Sequence, residues 1–200
     1  MNEDVRIFIQ KEVEVRKKIL GSFQQIEKIQ EIASLITKKV VDEKRTIAFC
    51  GNGGSATMSS HMMAEIVNRY TEKTRIGLSS VSFNDPAVLS AISNDYSFDD
   101  VFSFQVEAKL RNGDILVGFS TSGNSKNVIE AIKTANSLGI TTIALVGEKG
   151  SLNDSQLANY TIEIPSCETP IIQSAHLMIG HIICEKIEET ILNSSGNKTW

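Results

Sequence analysis

Two short polar segments are the parts of the sequence best suited to hold a small anion. Residues 51–55 (GNGGS) follow the apolar run 46–50, and residues 120–125 (STSGNS) follow the apolar run 114–119. Glycines let a backbone approach a ligand closely, and the second segment supplies hydroxyl donors without charge. If each segment joins a strand to a helix, both lie where parallel sheets bind ligands and where helix N-termini present free N–H groups. Helix capping and turn formation would account equally well for a bare Ser- and Gly-rich loop.

Several familiar chemical motifs are missing from the sequence. Residues 51–55 lack the third glycine of a dinucleotide fingerprint, and no Gly-Lys-Ser/Thr completes a P-loop. No Gly-x-Ser-x-Gly elbow precedes a helix, so an esterase triad is unsupported. The three histidines are His61, His176 and His181, and a metal cage of histidine alone would need nearly all of them. A site that uses histidine sparingly is the simpler expectation.

The elements that must position these segments follow from the spacing of apolar residues. Spacings of three, four and seven indicate helices in residues 5–42, with a break at Gly21. Short apolar runs predict strands at 46–50, 114–119, 141–146 and 160–164, with another near 76–83. Further helices are predicted at 56–70, 87–93, 101–110, between the second polar segment and Gly139, and at 171–192.

This alternation predicts an α/β domain with a mostly parallel sheet. A chain of 200 residues fits one domain. We assign 1–42 to a helical extension, 43–168 to the α/β core, 169–193 to a C-terminal helix and 194–200 to a polar tail. The helical ends fall outside the alternation, so their apolar stripes need partners on each other or on another chain.

The composition limits the binding partners and the cellular compartment that we expect for this protein. The formal net charge of -4 argues against a protein held on nucleic acid by bulk charge, and it means that any anion site must be built locally. Three cysteines without a CxxC pair indicate free thiols in a reducing cytoplasm. The acidic residues near the N-terminus do not resemble a secretory signal, and no apolar run suits a membrane helix. We therefore expect a cytoplasmic protein with no nucleic-acid or membrane partner.

Taken together, the motifs resemble the sugar isomerase (SIS) domain of phosphoheptose isomerases. The likeness covers nearly the whole chain and rests on residues 50–55 (CGNGGS), His61, 64–65 (AE), 69–70 (RY), 91–96 (AISNDY), Phe102, 105–108 (QVEA), 120–125 (STSGNS), 172–173 (IQ), His176, His181 and Glu185. The STSGNS segment alone indicates only a phosphosugar-binding SIS domain, whereas the combination is specific. The resemblance implies a three-layer SIS-type α/β fold with helical extensions at both ends.

The resemblance implies an aldose–ketose isomerase. The family converts sedoheptulose 7-phosphate to D-glycero-D-manno-heptose 7-phosphate by an enediol-type route, the first step of nucleotide-activated heptose synthesis for lipopolysaccharide or capsule. Two alternatives stay open: a non-catalytic SIS module that binds a phosphosugar or associates with the DnaA initiator, and an isomerase of another phosphosugar. The initiator-associating type lacks residues matching Glu65 and His181, so that pair discriminates.

By the resemblance, Glu65 is the base that removes the carbon-bound proton, and His181 is the acid–base group that serves the oxygens. Glu185, four residues after His181, is a candidate orienting partner, and His176 is assigned a structural role because it lies ~140° around a helix from His181. Ser55 is also expected to cap the helix that follows. The implied substrate-binding residues are Asn52, Gly53, Gly54, Ser55, Glu65, Asn94, Asp95, Ser120, Thr121, Ser122, Ser125 and Gln173.

Several family members carry zinc on residues matching His61, Glu65, Gln173 and His181, so the resemblance implies a Zn²⁺ site and no nucleotide cofactor. His61 and Glu65, four residues apart, share a helix face as a metal pair requires. Gln173 and His181 are separated by about 12 Å along a helix, too far for both to reach one ion. Either Gln173 lies before the helix, or the ligands come from different subunits.

The chain also departs from the family pattern. Ile171 and Ser174 stand where the family usually has Arg and Glu, and residues 82–85 (SFND) replace a more Thr-rich stretch. Losing a guanidinium removes a planar donor suited to a sugar or a carboxylate, so the reaction type is better supported than the substrate. The apolar helical ends predict a homotetramer with its active site near subunit interfaces.

Overall fold

The chain alternates strands and helices between two helical ends. This computed structural model describes residues 2–195 other than 72, 74 and 155, so part of the predicted tail, 196–200, lies outside the described residues. The strands are β1 (Ile47–Gly51), β2 (Ser80–Ser82), β3 (Ile115–Ser120), β4 (Thr141–Val146) and β5 (Tyr160–Glu163). The α-helices are α1 (Asn2–Gly21), α2 (Phe23–Thr37), α3 (Gly54–Val67), α4 (Pro86–Asp95), α5 (Ser103–Lys109), α6 (Lys126–Ser137) and α7 (Thr169–Ser195).

The five strands form one parallel sheet in the order β2-β1-β3-β4-β5. Every residue of β1 and β3 is buried, as expected for central strands covered on both faces. From β1 the chain passes to β2 on one side and then to β3 on the other. The carboxyl ends of β1 and β3 therefore border the crevice where such sheets bind ligands.

Helices cover both faces of the sheet, which confirms the predicted three-layer α/β fold. On one face, Phe49 and Val117 pack in a core with residues of α1, α2, α3 and α7. On the other face, Ala48 and Leu116 pack with α5 and α6. Gly118 lets α6 approach closely, because a Cβ there would lie 2.8 Å from Val128 Cγ1.

The helical ends find partners on each other and on the sheet. Ser22 caps α2 by accepting a hydrogen bond from the Gln25 N–H, which produces the break predicted at Gly21. Ile29 and Ile36 of α2 are buried in the same core as α7. The outer face of α1 keeps large apolar side chains exposed, among them Val5, Phe8 and Ile9.

Some predicted boundaries are wrong. The strand near 76–83 is only three residues long, and the helix after the first polar segment ends at Val67 instead of Tyr70. A short 3-10 helix, Phe98–Asp100, precedes α5, which begins at Ser103. Within the described part of the chain, no helix is both long and apolar enough to span a membrane.

Candidate active site

A cavity of about 290 Å³ opens at the carboxyl ends of β1 and β3. It borders the first turn of α3, the residue that caps α6 and the first turns of α7. Its lining is Asn52, Gly53, Gly54, Ser55, Phe119, Ser120, Thr121, Ser125, Thr169 and Gln173, and none of these residues carries a charge. We call these residues the neutral cradle. Free N–H groups at helix N-termini and uncharged hydroxyls suit an anion without a lysine or arginine.

The second polar segment contributes three of its four predicted hydroxyl residues to the cradle. Ser120 Oγ donates to Ser125 Oγ at 2.9 Å, so the two ends of the segment are joined. Thr121 also lines the cavity, but Ser122 does not. The Ser122 hydroxyl instead accepts a hydrogen bond from the Asn124 N–H at 3.2 Å, within the turn itself.

The first polar segment is tied to the second by a residue that the sequence analysis missed. Asn52 and Asn127 exchange side-chain amide hydrogen bonds of 2.8 and 2.9 Å. Asn127 is 2% exposed in the first turn of α6, and its Oδ1 also accepts from the Val128 N–H. A buried asparagine at this position has no distinctive pattern in the sequence, and only the tertiary structure shows its partner.

The prediction that Ser55 caps the following helix is wrong. The capping position of α3 is Gly53, which has a φ of 55° and makes no side-chain cap bond. Because the chain turns at Gly53, Ser55 falls in the first helical turn, where it is buried and still lines the cradle. Only glycine adopts this left-handed conformation easily.

Gln173 lies at the cradle and well inside α7. A Cβ at Gly54 would be 2.7 Å from Gln173 Nε2, so the glycine makes room for this amide. Of the two alternatives left open for Gln173, a position before the helix is wrong, because α7 already begins at Thr169, with Pro170 in a first-turn position that proline tolerates. Gln173 and His181 therefore lie on one continuous helix, ~12 Å apart along its axis.

A second group, outside the cradle, contains titratable side chains. His61 Nε2 lies 3.2 Å from His181 Nε2 and 3.4 Å from Glu65 Oε1. Helix α3 supplies His61 and Glu65, and α7 supplies His181. We call these three residues the reactive cluster. The sequence spacing predicted that His61 and Glu65 share a face, and the family resemblance grouped them with His181. The structure brings these three side chains together.

The neighbours of His181 differ from those expected. The ring of Tyr70 lies 5.5 Å from the ring of His181. Among the described residues, Glu185 makes no hydrogen bond or ion pair with His181, so the predicted orienting contact is not formed. Glu185 and His181 line a separate cavity of about 310 Å³, where Arg16 of α1 donates to Ser174 Oγ at 3.1 Å.

The remaining predicted residues lie elsewhere in the chain. Asn94 and Asp95 are exposed at the end of α4, bonded to each other at 2.9 Å, and do not line the cradle. His176 is fully buried with Nε2 3.3 Å from the Val146 carbonyl, and burial lowers its pKa to about 4. Ile171, at the position of the family's arginine, is 1% exposed within the core, so its side chain cannot contact a ligand as an arginine would.

The reactive cluster suits a zinc ion in its chemistry. Within the described residues, no group of three or more His, Cys, Asp or Glu side chains is placed so that it could hold a metal ion. The two separations in the reactive cluster, 3.2 and 3.4 Å, are nevertheless close to the ~3.3 Å between adjacent ligands of tetrahedral zinc with bonds of ~2.0–2.1 Å. Two imidazoles and a carboxylate form a donor set that zinc accepts. Gln173 of the same chain lies in the cradle and is not part of this set.

The family model for the SIS domain matches residues 12–147, a range that includes β1 to β4 and most of the neutral cradle. The phosphoheptose isomerase of Sulfurimonas denitrificans is 41% identical over 197 residues, which cover 98% of this chain and 100% of that one. The phosphoheptose isomerase of Clostridium acetobutylicum is 39% identical and covers 96% of both chains. The solved phosphoheptose isomerase of Neisseria gonorrhoeae has a TM-score of 0.85, with 34% identity over 94% of this chain and 98% of that one. The chain therefore belongs to the phosphoheptose isomerase family.

Proposed function

We propose that this chain converts sedoheptulose 7-phosphate to D-glycero-D-manno-heptose 7-phosphate as an aldose–ketose isomerase. The observation that carries the proposal is the reactive cluster, in which Glu65, His61 and His181 meet in a chain of this family. A module that only binds a sugar phosphate needs the neutral cradle but has no use for a base and an acid–base group beside each other.

The reaction moves one proton between neighbouring carbons. Glu65 takes the proton from carbon 1 of the ketose while His181 donates a proton to the carbonyl oxygen on carbon 2, which leaves a neutral enediol across carbons 1 and 2. His181 then takes the proton from the hydroxyl on carbon 1, because an imidazole can both donate and accept a proton. Glu65 returns its proton to carbon 2, which gives the aldose and restores both residues. Close placement of both groups supports this route, since a weakly acidic carbon proton demands a positioned base.

The neutral cradle is the proposed phosphate site. Ser120, Thr121 and Ser125 would donate hydroxyls, and the N-termini of α3 and α6 would supply backbone N–H groups. Gln173 would contact the substrate from α7. Asn52 is held by Asn127, so it would act from a fixed position rather than as a free amide.

We propose Zn²⁺ as a resident ion of the reactive cluster, held by His61, Glu65 and His181, with Gln173 supplied by a second copy. The donor chemistry and the two separations support the three ligands from one chain. When bound, the ion would polarise the substrate carbonyl and stabilise the developing oxyanion. Glu65 would then have to coordinate the ion and also accept the carbon-bound proton. Metal analysis of the purified protein and of a His61→Ala variant tests this, with metal retained by the variant as the contrary result.

We also propose a homotetramer. The exposed apolar face of α1 continues into a groove of about 550 Å³ between α1, α2 and α7, and contact with other copies would bury both. Asn94 and Asp95 do not line the cradle of their own chain. In a tetramer they could contribute to the active site of a neighbouring copy. Light scattering on the eluted protein should give about four times the 21.9 kDa of one chain, and a monomeric mass would overturn the proposal.

The setting proposed for this reaction is the cytoplasm. All three cysteines are free thiols, as in proteins of a reducing compartment. The product would feed nucleotide-activated heptose for lipopolysaccharide or capsule.

Incubation of the purified protein with sedoheptulose 7-phosphate tests the proposed activity directly. Heptose 7-phosphate should appear, while arabinose 5-phosphate and an aminohexose phosphate should remain unconverted. Conversion of one of those sugars in place of the heptulose would favour the isomerase of another phosphosugar. Binding without conversion of any sugar phosphate would favour the non-catalytic module.

A further inference from the structure

A buried ion pair lies next to the reactive cluster. Glu188 of α7 is 4% exposed, and Arg75, which follows α3, is 7% exposed. Arg75 Nε lies 3.4 Å from Glu188 Oε1. Removing two charges from water is costly and is repaid only when further hydrogen bonds satisfy both groups. The other contacts of these two residues show what the pair holds in place.

The carboxylate of Glu188 holds the turn that leaves α3. Its Oε1 accepts from the Tyr70 N–H at 3.1 Å, and its Oε2 accepts from the Thr71 N–H at 2.9 Å. The Thr71 hydroxyl donates to the same Oε2. Consecutive backbone N–H groups pointed at one anion fix the backbone of a turn. The main chain at Tyr70 is therefore held by a residue of α7.

Arg75 closes the C-terminal end of α3. Its Nη2 donates to the Glu65 carbonyl at 2.5 Å and to the Ile66 carbonyl at 3.1 Å. The last carbonyls of a helix lack partners within the helix, and a cation there is favourable. Arg75 thus links the helix end that carries Glu65 to Glu188 on α7.

Tyr70 connects the Arg75–Glu188 ion pair to the reactive cluster. Its ring lies 5.5 Å from the ring of His181 with a tilt of 35°. An aromatic ring on one side of His181 restricts the positions that the imidazole can occupy.

We propose that Glu188 is a positioning residue for the isomerase, acting through Tyr70 and Arg75. It holds Tyr70 against His181, and with Arg75 it fixes the end of α3 that carries Glu65 onto α7. The spacing of the base and the acid–base group is then set by a buried carboxylate seven residues beyond His181. This inference rests on the proposed function only for its effect on turnover, because its effect on the His181 ring is independent of any reaction.

The test compares Glu188→Gln with Glu130→Gln. Glu130 is a matched control on α6, where its carboxylate is exposed and pairs with Lys133 at 2.7 Å. Under conditions where circular dichroism shows both proteins folded, Glu188→Gln should shift the ring NMR signals of His181. Its kcat should fall about tenfold or more with KM within about threefold, because misplaced reacting groups slow chemistry more than binding. Glu130→Gln should match the wild type. Unchanged His181 signals, or a kcat within about twofold of the wild type, would overturn the proposal.

Two milder variants keep the proposal testable if Glu188→Gln does not fold. Thr71→Val removes the hydroxyl bond to Glu188 and leaves the ion pair, and Tyr70→Leu removes the ring from His181. Both should shift the His181 signals, and both should lower kcat more than they change KM. If neither variant moves those signals, the proposal is wrong. A wild-type protein that cannot convert sedoheptulose 7-phosphate would overturn the proposed function alone, since the His181 signals can still be compared.

Discussion

The neutral cradle and the reactive cluster are built in opposite ways. The cradle sits at strand ends, is lined by uncharged residues and relies on backbone N–H groups and hydroxyls. The cluster lies between two helices and consists of two imidazoles and a carboxylate within 3.4 Å contacts. The cradle can thus bind an anion through dipoles that do not change with pH, while the side chains that can exchange protons lie in the cluster. We therefore predict that one substitution can weaken substrate binding without slowing the reaction, and that another can slow the reaction without weakening binding.

Loss of His181 should give the largest effect. His181→Gln removes the group proposed to serve the enediol oxygens and should lower kcat by ~100- to 10,000-fold. The KM for sedoheptulose 7-phosphate should change far less, because the cradle is intact. Steady-state kinetics measure both values. A large rise in KM with an unchanged kcat would assign His181 to binding and erase the distinction between the two regions.

The acid sensitivity of His176 should be the next largest effect. This residue packs beneath the cradle against Phe119, and its pKa is about 4 in the folded protein against 6.5 for an ordinary histidine. As the pH falls, the unfolded state binds the proton first, so stability is lost on going from pH 7 towards pH 4. Between pH 7 and pH 5 the loss from this group is about 2 kcal/mol.

Denaturant unfolding at both pH values checks that prediction. The His176→Gln protein should lose about 2 kcal/mol less than the wild type between pH 7 and pH 5. An identical loss in both proteins would mean that His176 is protonated in the fold, and the region beneath the cradle would then not be neutral.

A methyl group at the cradle should weaken binding moderately. Gly54→Ala would place a Cβ 2.7 Å from Gln173 Nε2, which forces that amide aside. We expect about tenfold weaker binding of the sugar phosphate, equal to ~1.4 kcal/mol, with a smaller change in kcat. Gly21→Ala is the control, because a Cβ there meets no atom within 4 Å. Calorimetric titration measures the affinity, and equal affinity in both variants would remove Gln173 from the cradle's binding role.

Salt should have the smallest effect. A phosphate held by hydroxyls and N–H groups is not paired with a mobile surface cation, so screening has little to weaken. The KM should change less than about twofold between roughly 0.05 M and 0.5 M salt. A steep rise in KM with salt would show that a charged side chain, from this chain or a partner, contributes to the phosphate site.

From residue patterns alone, the cradle could be predicted more completely than the cluster, whose three members were grouped only by the family resemblance. Residues 51–55 and 120–125 follow strands, and the topology of a parallel sheet brings strand ends together without detailed knowledge of packing. The contact between His61 and His181 depends on how α3 meets α7, and spacing within one helix cannot supply it. Asn127 and Glu188 were missed for the same reason: each is a polar residue whose buried partner lies far away in the chain.

The wrong predictions for Ser55 and Gln173 also have physical reasons. Ser55 was expected to cap a helix whose capping residue is in fact the left-handed Gly53. Gln173 was allowed a place before the helix, but α7 begins four residues earlier, at Thr169. Helix starts depend on backbone conformation at one residue, and composition alone does not determine it.

The most direct test of the division between the two regions is phosphorus NMR of sedoheptulose 7-phosphate with the Glu65→Gln protein. One spectrum reports both binding, through the phosphate signal, and conversion, through the appearance of heptose 7-phosphate. The division predicts a phosphate signal perturbed as in the bound state and no heptose signal. Formation of heptose 7-phosphate at the wild-type rate would contradict it.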